Sequence, residues 1–439
     1  MSAPPDLTAA DKWLAARSAR DRKRSGAWPT PWWVCDAVAR RLAPELHGQV
    51  VVDPACGDGR WLIAVARYAP SARLIGLDLD PLAVDAARTT LAAAGVPAEL
   101  SCADALAPGA VPAGDWIVGN PPFVRPQHLD RARATDLWAR FALATDKVDL
   151  AACFVERALE RAPRLALVLP ESLLSLGSWG ATRARLARAG VDAVLELPSD
   201  TFGATVRSVV VITGPADRRA VGALGPDGIA IEARLGMGAD AWTTREAPEL
   251  AGAPLGDHVR FHMGVVCGDY ARYVHPGRRT DEDRLTCRGR DVGRFTITDR
   301  DEYLWYRPDD MLARKPYVAP KRAELFDVPV KVVIAGTSGV ELRAAIDTRR
   351  RFPLDSCYVA APRHPDIDPY AVLGLLCARV VGEWYGARFR APRVKGVELA
   401  KIPAPDGPWD EIAAAAREQD SAAIDAAVDR AYARTVSRS

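Results

Sequence analysis

The chain has 439 residues and a formal net charge of +2, with 49% hydrophobic and 26% charged residues. This composition is typical of a globular protein of two or three domains, and the nearly neutral charge restricts any nucleic-acid surface to a local patch. The apolar runs are broken by charges before the ~20 residues that a membrane span requires. The 8 cysteines include no Cys-x-x-Cys pair and the 6 histidines show no metal-ligand spacing, which predicts reduced thiols, no metal site and a cytoplasmic protein.

The pattern of apolar residues changes along the chain. Residues 1–24 are predicted to form a basic, helical amino-terminal segment. From residue 25 to residue 215, strand-like runs alternate with amphipathic helices, which predicts a parallel, doubly wound α/β sheet of Rossmann-like type. The predicted strands are residues 50–53, 74–78, 98–102, 116–119, 165–169, 193–197 and 208–213. A linker rich in Gly, Ala and charged residues is predicted at 216–246, and a second domain at 247–439.

The first strand runs into a glycine-rich loop that opens a helix, and this loop reads Asp53-Pro54-Ala55-Cys56-Gly57-Asp58-Gly59. Glycines at such a position let the backbone approach a bound ligand closely. Because Leu62 stands where a dinucleotide-binding motif has its third glycine, the pyrophosphate-binding pattern is incomplete. An acidic residue at position 53 suits a cationic ligand better than a phosphate. S-adenosylmethionine carries both a sulfonium and an ammonium group, and it fits this loop.

Acidic residues follow three successive strands, at Asp53, Asp78 and Asp104. Open α/β sheets bind ligands at the carboxyl ends of their strands. Asp78 lies where the hydroxyls of a ribose would be bound, and Asp104 is suited to accept a hydrogen bond from an adenine amino group. Each acid alone is more typical of a helix cap or a solvated turn. Three in succession predict a site for a nucleoside cofactor.

The fourth strand ends in the tetrapeptide Asn120-Pro121-Pro122-Phe123. The Asn120 side-chain oxygen and the Pro121 carbonyl can each accept one N–H of a planar amino group, such as that of adenine, and leave its lone pair free to attack. Both prolines have a fixed φ and no N–H, so the loop is stiff. Phe123 offers a face on which a base can stack. An ordinary strand-to-loop turn would carry similar residues, so the catalytic interpretation depends on the neighbouring cofactor motifs.

The order of these motifs along the chain resembles that of the amino-methylating DNA methyltransferases of the gamma class. The motifs are Thr30-Pro31, the 53–59 loop, Asp78, Asp104 and the tetrapeptide at 120–123. The resemblance is to the TaqI-like adenine-N6 type, in which a methyltransferase domain precedes a target-recognition domain. It covers most of residues 25–215. It implies a Rossmann-like, S-adenosylmethionine-dependent methyltransferase fold for this half.

The resemblance also implies a role for each acid of the cofactor site. Thr30 is expected to contact the methionine part of the cofactor, and Asp53 is expected to hold its amino-acid portion. Asp78 is expected to bind the ribose hydroxyls and Asp104 the adenine amino group. The full set of expected cofactor contacts is Thr30, Asp53, Ala55, Gly57, Asp78, Asp104 and Asn120. Asp53 departs from the pattern, because many relatives have Glu there.

Two aromatic residues are expected at the target base. The segment 197–204 resembles the family loop whose aromatic side chain contacts the flipped base, which makes Phe202 a partner of Phe123 in stacking. The catalytic set implied by the resemblance is Asn120, Pro121, Pro122 and Phe123. Phe123 stands where tyrosine is commoner, and this change keeps the stacking face and removes a hydroxyl.

The second domain resembles the family's recognition domains more loosely, in residues 288–295, 355–359 and 401–405. We expect a mixed α+β DNA target-recognition domain. Its strongest nucleic-acid signal is a run of cations without an internal acid, formed by Arg388, Arg390, Arg393 and Lys395. Such a run can neutralise phosphates. The alternative is a solvated face whose cations pair with Glu383 and Glu398.

These features predict a sequence-specific, adenine-N6 DNA methyltransferase that flips its target base out of double-stranded DNA. We expect a monomer that serves as the modification enzyme of a restriction-modification or related defence system, with any restriction nuclease encoded separately. One alternative is methylation of a protein glutamine or of an amino group in ribosomal RNA. Cytosine-N4 methylation is another, although its usual tetrapeptide begins with Ser. A non-catalytic specificity subunit is disfavoured by the intact cofactor motifs and Asn120.

Overall fold

A computed structural model of the chain describes residues 5–15, 28–125, 128–145, 149–202, 207–215, 217–238, 241–244, 248–315, 318–337, 342–389 and 393–436. The chain divides into two compact units, Met1–Glu246 and Ala247–Ser439. The second unit therefore begins where the sequence predicts the second domain. Arg390 and the part of the predicted basic segment from residue 16 to residue 24 lie outside the described residues.

The first unit is built on a nine-stranded sheet with the order β3-β2-β1-β4-β5-β7-β6-β8-β9. Its strands are β1 (Val50–Asp53), β2 (Arg73–Asp78), β3 (Glu99–Cys102), β4 (Trp116–Gly119), β5 (Arg164–Pro170), β6 (Val191–Glu196), β7 (Ser208–Thr213), β8 (Ala220–Gly225) and β9 (Gly228–Arg234). All seven strands predicted from the sequence are present, within one or two residues of the predicted bounds. The α/β fold class is confirmed.

The sheet is mostly, but not entirely, parallel. Strands β1 to β5 pair in parallel, whereas β7 runs antiparallel to both β5 and β6. The prediction of a wholly parallel sheet is therefore wrong at this strand. Its residues are all buried, and a continuous apolar run carries no information about strand direction. Because β7 is reversed relative to both neighbours, β6 points the same way as β4 and β5.

The segment predicted as a linker instead extends this sheet. Strand β8 pairs in parallel with β6, and β9 pairs antiparallel with β8 as the sheet edge. A short hairpin of β10 (Gly236–Met237) and β11 (Trp242–Thr243) follows. The prediction of a linker at 216–246 is wrong for its described residues because β9 is an edge strand with little buried surface. Such a strand lacks the apolar alternation by which strands are recognised.

Helices cover both faces of the sheet. They are α1 (Thr8–Ala15), α2 (Trp32–Leu46), α3 (Arg60–Tyr68), α4 (Pro81–Ala93), α5 (Arg131–Arg140), α6 (Ala151–Arg161), α7 (Ser172–Ser175) and α8 (Gly180–Ala189). Alternate residues of β4 enter different cores, since Trp116 and Val118 pack with α2 and α3 while Ile117 packs with α6. This two-sided burial explains the near-continuous apolar strands. It leaves the carboxyl edge of the sheet to carry polar residues.

The second unit contains two four-stranded sheets, with the orders β13-β20-β17-β18 and β14-β16-β15-β19. The strands of this unit are β12 (Ala253–Pro254), β13 (Val259–Met263), β14 (Val274–Pro276), β15 (Asp283–Cys287), β16 (Glu302–Trp305), β17 (Lys331–Ala335), β18 (Ala344–Asp347), β19 (Phe352–Pro353), β20 (Cys357–Pro362) and β21 (Pro403–Ala404). The first of the two sheets is antiparallel throughout its pairs.

Helices complete the second unit. They are α9 (Leu255–His258), α10 (Tyr270–Tyr273), α11 (Pro308–Arg314), α12 (Pro369–Cys377), α13 (Arg379–Arg388), α14 (Gly396–Leu399), α15 (Asp410–Glu418) and α16 (Ser421–Val436). Side chains of α12, α15 and α16 share one apolar core with the β13–β20–β17–β18 sheet. The unit is therefore mixed in composition, as predicted. Over the described residues of both units, no helix has the length and apolar character needed to cross a membrane.

Candidate cofactor and methyl-transfer site

The carboxyl edge of the first unit's sheet surrounds a cavity of about 720 Å³. The loops after β1, β2 and β4 contribute to its wall. Seven residues predicted from the sequence line it, namely Thr30, Ala55, Gly57, Asp78, Asp104, Asn120 and Pro122. The structure thus brings together residues that are up to 92 positions apart in the chain. Over the described residues, no cluster of three or more His, Cys, Asp or Glu side chains is arranged to hold a metal ion.

The glycine loop after β1 is shaped by two residues in the left-handed region. Gly57 has a φ of +55° and Gly59 a φ of +82°, conformations that cost a residue with a Cβ roughly 1–2 kcal/mol. The Gly57 N–H donates to Oδ2 of Asp78 at 2.9 Å. The loop is therefore fixed to the acid at the end of the next strand. Gly57 and Asp78 both line the cavity.

Asp53 is buried at the start of this loop and, unlike Ala55 and Gly57, is not among the residues that line the cavity. Its Oδ1 accepts from the Ala55 N–H at 3.0 Å, and its Oδ2 has no hydrogen-bond partner among the described residues. A Cβ on Gly119 would lie 2.6 Å from Oδ1, so glycine is needed there. Burial is the main cause that raises the pKa of Asp53 to about 8, and the nearby Asp78 and Asp58 raise it further. A buried acid without a counter-charge fits the methionine ammonium of S-adenosylmethionine.

Asp78 and Asp104 are already partly engaged. Asp78 accepts from the Gly57 N–H through Oδ2 and from the Asp80 N–H through Oδ1, each at 2.9 Å. Asp104 accepts from the Leu106 N–H at 3.0 Å and forms an ion pair with Arg133 at 2.6 Å. Both acids line the cavity, which makes them candidate acceptors for a bound ligand. Arg133, on α5, is a cavity residue that the sequence analysis missed.

The two polar atoms of the Asn120 side-chain amide differ in their hydrogen bonding. Its Nδ2 donates to the Trp28 carbonyl at 2.9 Å, and its Oδ1 is buried with no partner among the described residues. A carbonyl only accepts, so this contact requires the amide nitrogen on its side. The oxygen is thereby directed away from Trp28 and is available to a donor. Trp28 itself lines the cavity and was not identified from the sequence.

Thr30 is supported by a pair of residues from the start of α3. The Thr30 carbonyl accepts from Nη1 of Arg60 at 2.6 Å, and its Oγ1 accepts from Nε1 of Trp61 at 3.2 Å. Arg60 is in turn paired with Asp58, with Nε to Oδ1 at 2.8 Å. Both Arg60 and Trp61 directly follow the glycine loop, and that position is the only sequence signal for their role. They hold the Thr30 segment at the cavity.

The loop after β4 is hydrogen-bonded to the segment of residues 149–151. Asp149 accepts from the backbone N–H groups of Val124 and Ala151, and burial raises its pKa to about 6. The Leu150 N–H donates back to the Val124 carbonyl at 2.9 Å. Both backbone groups of Val124 are therefore bonded to one segment. Because Val124 follows Phe123 directly, this contact fixes the exit of the tetrapeptide.

The two aromatic residues expected at the target base lie beside the core, not in the cavity wall. Phe123 and Phe202 are partly buried, and both pack against the same apolar cluster of the first unit. The loop that carries Phe202 follows β6, whose carboxyl end lies at the same edge as that of β4. Both side chains are thus on the edge where Asn120 lies. Their stacking role remains a prediction.

Cys56 lies in the glycine loop and is buried. Burial raises the pKa of its thiol well above the usual range. A thiol that resists ionisation is a poor nucleophile. The residue therefore contributes packing at the cofactor loop and not covalent chemistry.

The cations of the basic run in the second unit differ in their surroundings in the structure. Arg388 lies over the Trp384 ring, with its guanidinium carbon 4.5 Å from the ring centroid, and burial lowers its pKa. Lys395 forms an ion pair with Glu398 at 3.0 Å, which is the arrangement of the alternative interpretation. Arg393 is exposed. Among the described residues of the run, Arg393 is therefore the cation most accessible to a phosphate.

Three protein families match parts of the chain. The methyltransferase small domain matches residues 35–146, and the Eco57I restriction-modification methylase family matches residues 114–188. The TaqI-like C-terminal specificity domain matches residues 285–404. The methyltransferase small domain match contains the cofactor loop and the tetrapeptide. The Eco57I match contains the tetrapeptide but begins after the cofactor loop. The third lies entirely in the second unit.

Characterised relatives resemble only a part of the chain. A ribosomal RNA small subunit methyltransferase C from Pseudomonas aeruginosa is 39% identical over 99 residues, which are 22% of this chain and 29% of the relative. A release factor glutamine methyltransferase from Mycolicibacterium smegmatis is 37% identical over 92 residues, which are 20% of this chain and 31% of the relative. The chain thus matches less than a third of the length of either protein.

A cryo-EM structure of a DrdV–DNA complex shares the fold over most of the chain. The match covers 94% of this chain and 59% of that one, with a TM-score of 0.57 and 12% identity. The similarity therefore extends over both units. S-adenosylmethionine is the cofactor of the methyltransferase domain, and the orphaned carboxylate of Asp53 fits its ammonium. The first unit therefore matches methyltransferase domain models, one of them of a restriction-modification methylase, and the second unit matches the TaqI-like C-terminal specificity domain.

Proposed function

We propose that the chain transfers a methyl group from S-adenosylmethionine to the N6 amino group of an adenine in a specific sequence of double-stranded DNA. The observation that carries this proposal is Oδ1 of Asn120, which is buried and has no partner among the described residues. It lies at the cavity that fits the cofactor, and its amide is oriented by the Trp28 carbonyl. A buried acceptor without a partner is costly in a folded protein, by about 1–3 kcal/mol. A donor on the substrate would satisfy it.

The chemistry follows from the hydrogen-bonding capacity of the tetrapeptide. The bound cofactor supplies an electrophilic methyl group. Oδ1 of Asn120 accepts one N–H of the target amine, and the Pro121 carbonyl accepts the other. With both protons held, the nitrogen lone pair is directed at the methyl carbon, and the amine later loses one proton. The rate enhancement therefore comes from positioning and from oriented acceptors, and the protein forms no covalent intermediate.

The second unit favours DNA over the other substrates of amino-group methyltransferases. The relatives that methylate ribosomal RNA or a release factor each match about a fifth of the chain. In contrast, the specificity-domain match occupies residues 285–404, and the fold is shared with the DrdV–DNA complex over 94% of the chain. Exposed Arg393 supplies a candidate phosphate contact.

The target amine must leave the duplex to reach the cavity. Enzymes that act on a base rotate it out of the stack and bind it in a pocket, often against an aromatic side chain. Phe123 and Phe202 follow β4 and β6, and we propose that they make this contact. The Asn at position 120 favours adenine over cytosine, since cytosine-N4 enzymes usually have Ser there. We further propose that the enzyme is the modification component of a restriction-modification or related system.

A direct experiment is to incubate the purified chain with S-adenosylmethionine and unmethylated duplex DNA, and to analyse the digested nucleosides by mass spectrometry. We expect N6-methyldeoxyadenosine as the modified nucleoside. N4-methyldeoxycytidine would overturn the adenine assignment. Methylation of ribosomal RNA or of a release factor, with unmodified DNA, would overturn the proposed substrate class. Asn120→Ala serves as the control for contaminating host methyltransferases.

A further inference from the structure

A tryptophan near the start of the chain reaches the cofactor cavity. Trp13 lies on α1, which precedes the first motif of the methyltransferase domain, and its side chain lines the cavity. Its indole Nε1 donates to Oδ2 of Asp80 at 3.2 Å. Neither the catalytic tetrapeptide nor the glycine loop requires a contribution from this helix. The position of Trp13 in the cavity wall therefore calls for a separate explanation.

Hydrogen bonds connect Trp13 to the ribose-binding acid. Asp80 begins α4, because its Oδ1 accepts from the Leu82 N–H at 3.1 Å. The Asp80 N–H donates to Oδ1 of Asp78 at 2.9 Å. One short segment thus holds Asp78 through its backbone and Trp13 through its side chain. Asp80 thus connects Trp13 to Asp78, and all three residues line the cavity.

A second apolar side chain of the cavity wall lies next to Asp78 in the chain. Leu79, which follows Asp78 directly, also lines the cavity, and 68% of its surface is exposed. An exposed leucine and a partly buried tryptophan in the wall of one concave site are suited to a planar apolar ligand group. The adenine base of S-adenosylmethionine is such a group. Asp104, which is expected to bind the adenine amino group, lines the same cavity.

We infer that Trp13 is a cofactor-binding residue, and that it contacts the adenosine part of S-adenosylmethionine. The amino-terminal helix α1 is then part of the cofactor site, and its docking on α4 completes the site at the ribose. The role needs only the cofactor and is independent of the substrate that is methylated. Its test can therefore be made without DNA.

The test is titration calorimetry of the full-length chain with S-adenosylhomocysteine, which has the adenosine and amino-acid parts but no transferable methyl group. Trp13→Ala is expected to weaken binding by roughly 5- to 100-fold, the range that stacking of a base on an aromatic ring supports. Trp13→Phe keeps a ring and loses the bond to Asp80, so its Kd should lie between those of the parent and Trp13→Ala. Lys12→Ala, one residue away and exposed, is the matched control and should bind as the parent does.

A second ligand locates the contact. Methylthioadenosine has the adenosine part without the amino acid, and it should lose the same factor of affinity in Trp13→Ala. Melting of the unliganded variants distinguishes a local contact from misfolding, and Trp13→Ala should melt within a few degrees of Lys12→Ala. A parental Kd for S-adenosylhomocysteine in Trp13→Ala would overturn the inference. So would a loss for S-adenosylhomocysteine that is absent for methylthioadenosine. Because no DNA is present, failure here leaves the proposed methylation of adenine untouched.

Discussion

The side-chain nitrogen of Asn120 donates to the carbonyl of Trp28 at 2.9 Å, across 92 residues of chain. This contact orients the amide and leaves its oxygen buried without a partner among the described residues. Trp28 lies two residues before Thr30, which is expected to contact the methionine part of the cofactor. Under the proposed function, the segment that holds the cofactor also orients the acceptor for the target amine. The proposal therefore ties cofactor binding and amine activation to one local structure.

Substitution of Asn120 by Ala should remove methylation and leave cofactor affinity nearly unchanged. The lost acceptor serves the target amine, and loss of one such oriented group costs about 10²–10³-fold in rate. Single-turnover assays give the rate, and calorimetry with S-adenosylhomocysteine gives the affinity. A variant that keeps most of the parental single-turnover rate would show that Asn120 does not hold the amine.

Binding of the cofactor should release a proton from Asp53. Its pKa is raised to about 8, so the carboxyl is mostly protonated at pH 6.5, and an ammonium group bound beside it favours the ionised form. Calorimetry with S-adenosylhomocysteine in two buffers of different ionisation enthalpy measures this release, which we expect to be about one proton. Asp53→Asn should release none. A parental enzyme that binds without proton release would contradict the ion pair.

The same shift predicts how the unliganded protein responds to pH. The unfolded carboxyl ionises near pH 4, whereas the folded one ionises at about 8. The folded state therefore binds more protons between these values, and its stability falls as pH rises through this window. In Asp53→Asn this contribution is absent, so its Tm should fall less than that of the parent between pH 5 and pH 8. Equal Tm profiles for the two proteins would argue against a raised pKa.

Phe202→Ala should slow methylation while sparing cofactor affinity. Stacking of a base on an aromatic ring is worth about 1–3 kcal/mol, which corresponds to a loss of tens of fold in rate. The variant should also reduce the fluorescence rise of 2-aminopurine placed at the target position. Because Phe202 packs against the core, thermal melting is the necessary control. A large fall in Tm with a normal rate at low temperature would assign Phe202 to the core alone.

Arg393→Ala should reduce the salt dependence of DNA binding more than Lys395→Ala does. Arg393 is exposed, whereas Lys395 is already paired with Glu398. Each phosphate contact contributes roughly one unit to the slope of log K against log salt. Arg417→Ala is a matched control, because this arginine of the same unit is bonded to Asp368 and lies outside the basic run. Equal slopes for Arg393→Ala and the control would make the run a solvated face.

The sequence was sufficient to predict strands β1 to β7 of the first unit and seven of the residues that line the cavity. Strands β1 to β7 are apolar runs closed by polar residues, and this pattern is local. The acids Asp78 and Asp104 lie in the cavity wall because strand ends meet at one edge of a sheet. A parallel sheet places its ligand site there. These predictions needed only the order of residues along short segments.

Other features depend on contacts between distant residues and were not predictable. The reversal of β7 leaves no trace in a run of buried Val and Ile. The edge strand β9 reads as a linker because most of its residues are exposed. The bond between Asn120 and Trp28 joins segments that no local pattern connects. For Lys395 the sequence left open a DNA contact or pairing with Glu398, and only the structure shows that this ion pair forms.

The most direct test of the account is to sequence, with a method that reads modified bases, the DNA of a methyltransferase-deficient host that expresses the chain. The account predicts that one short motif carries a methylated adenine at nearly every occurrence in cells with the parental chain. In cells with Asn120→Ala the same motif should be unmodified. Modified cytosine, or unmodified DNA in cells whose parental protein is folded and binds S-adenosylhomocysteine, would contradict the assignment of adenine in DNA as the substrate.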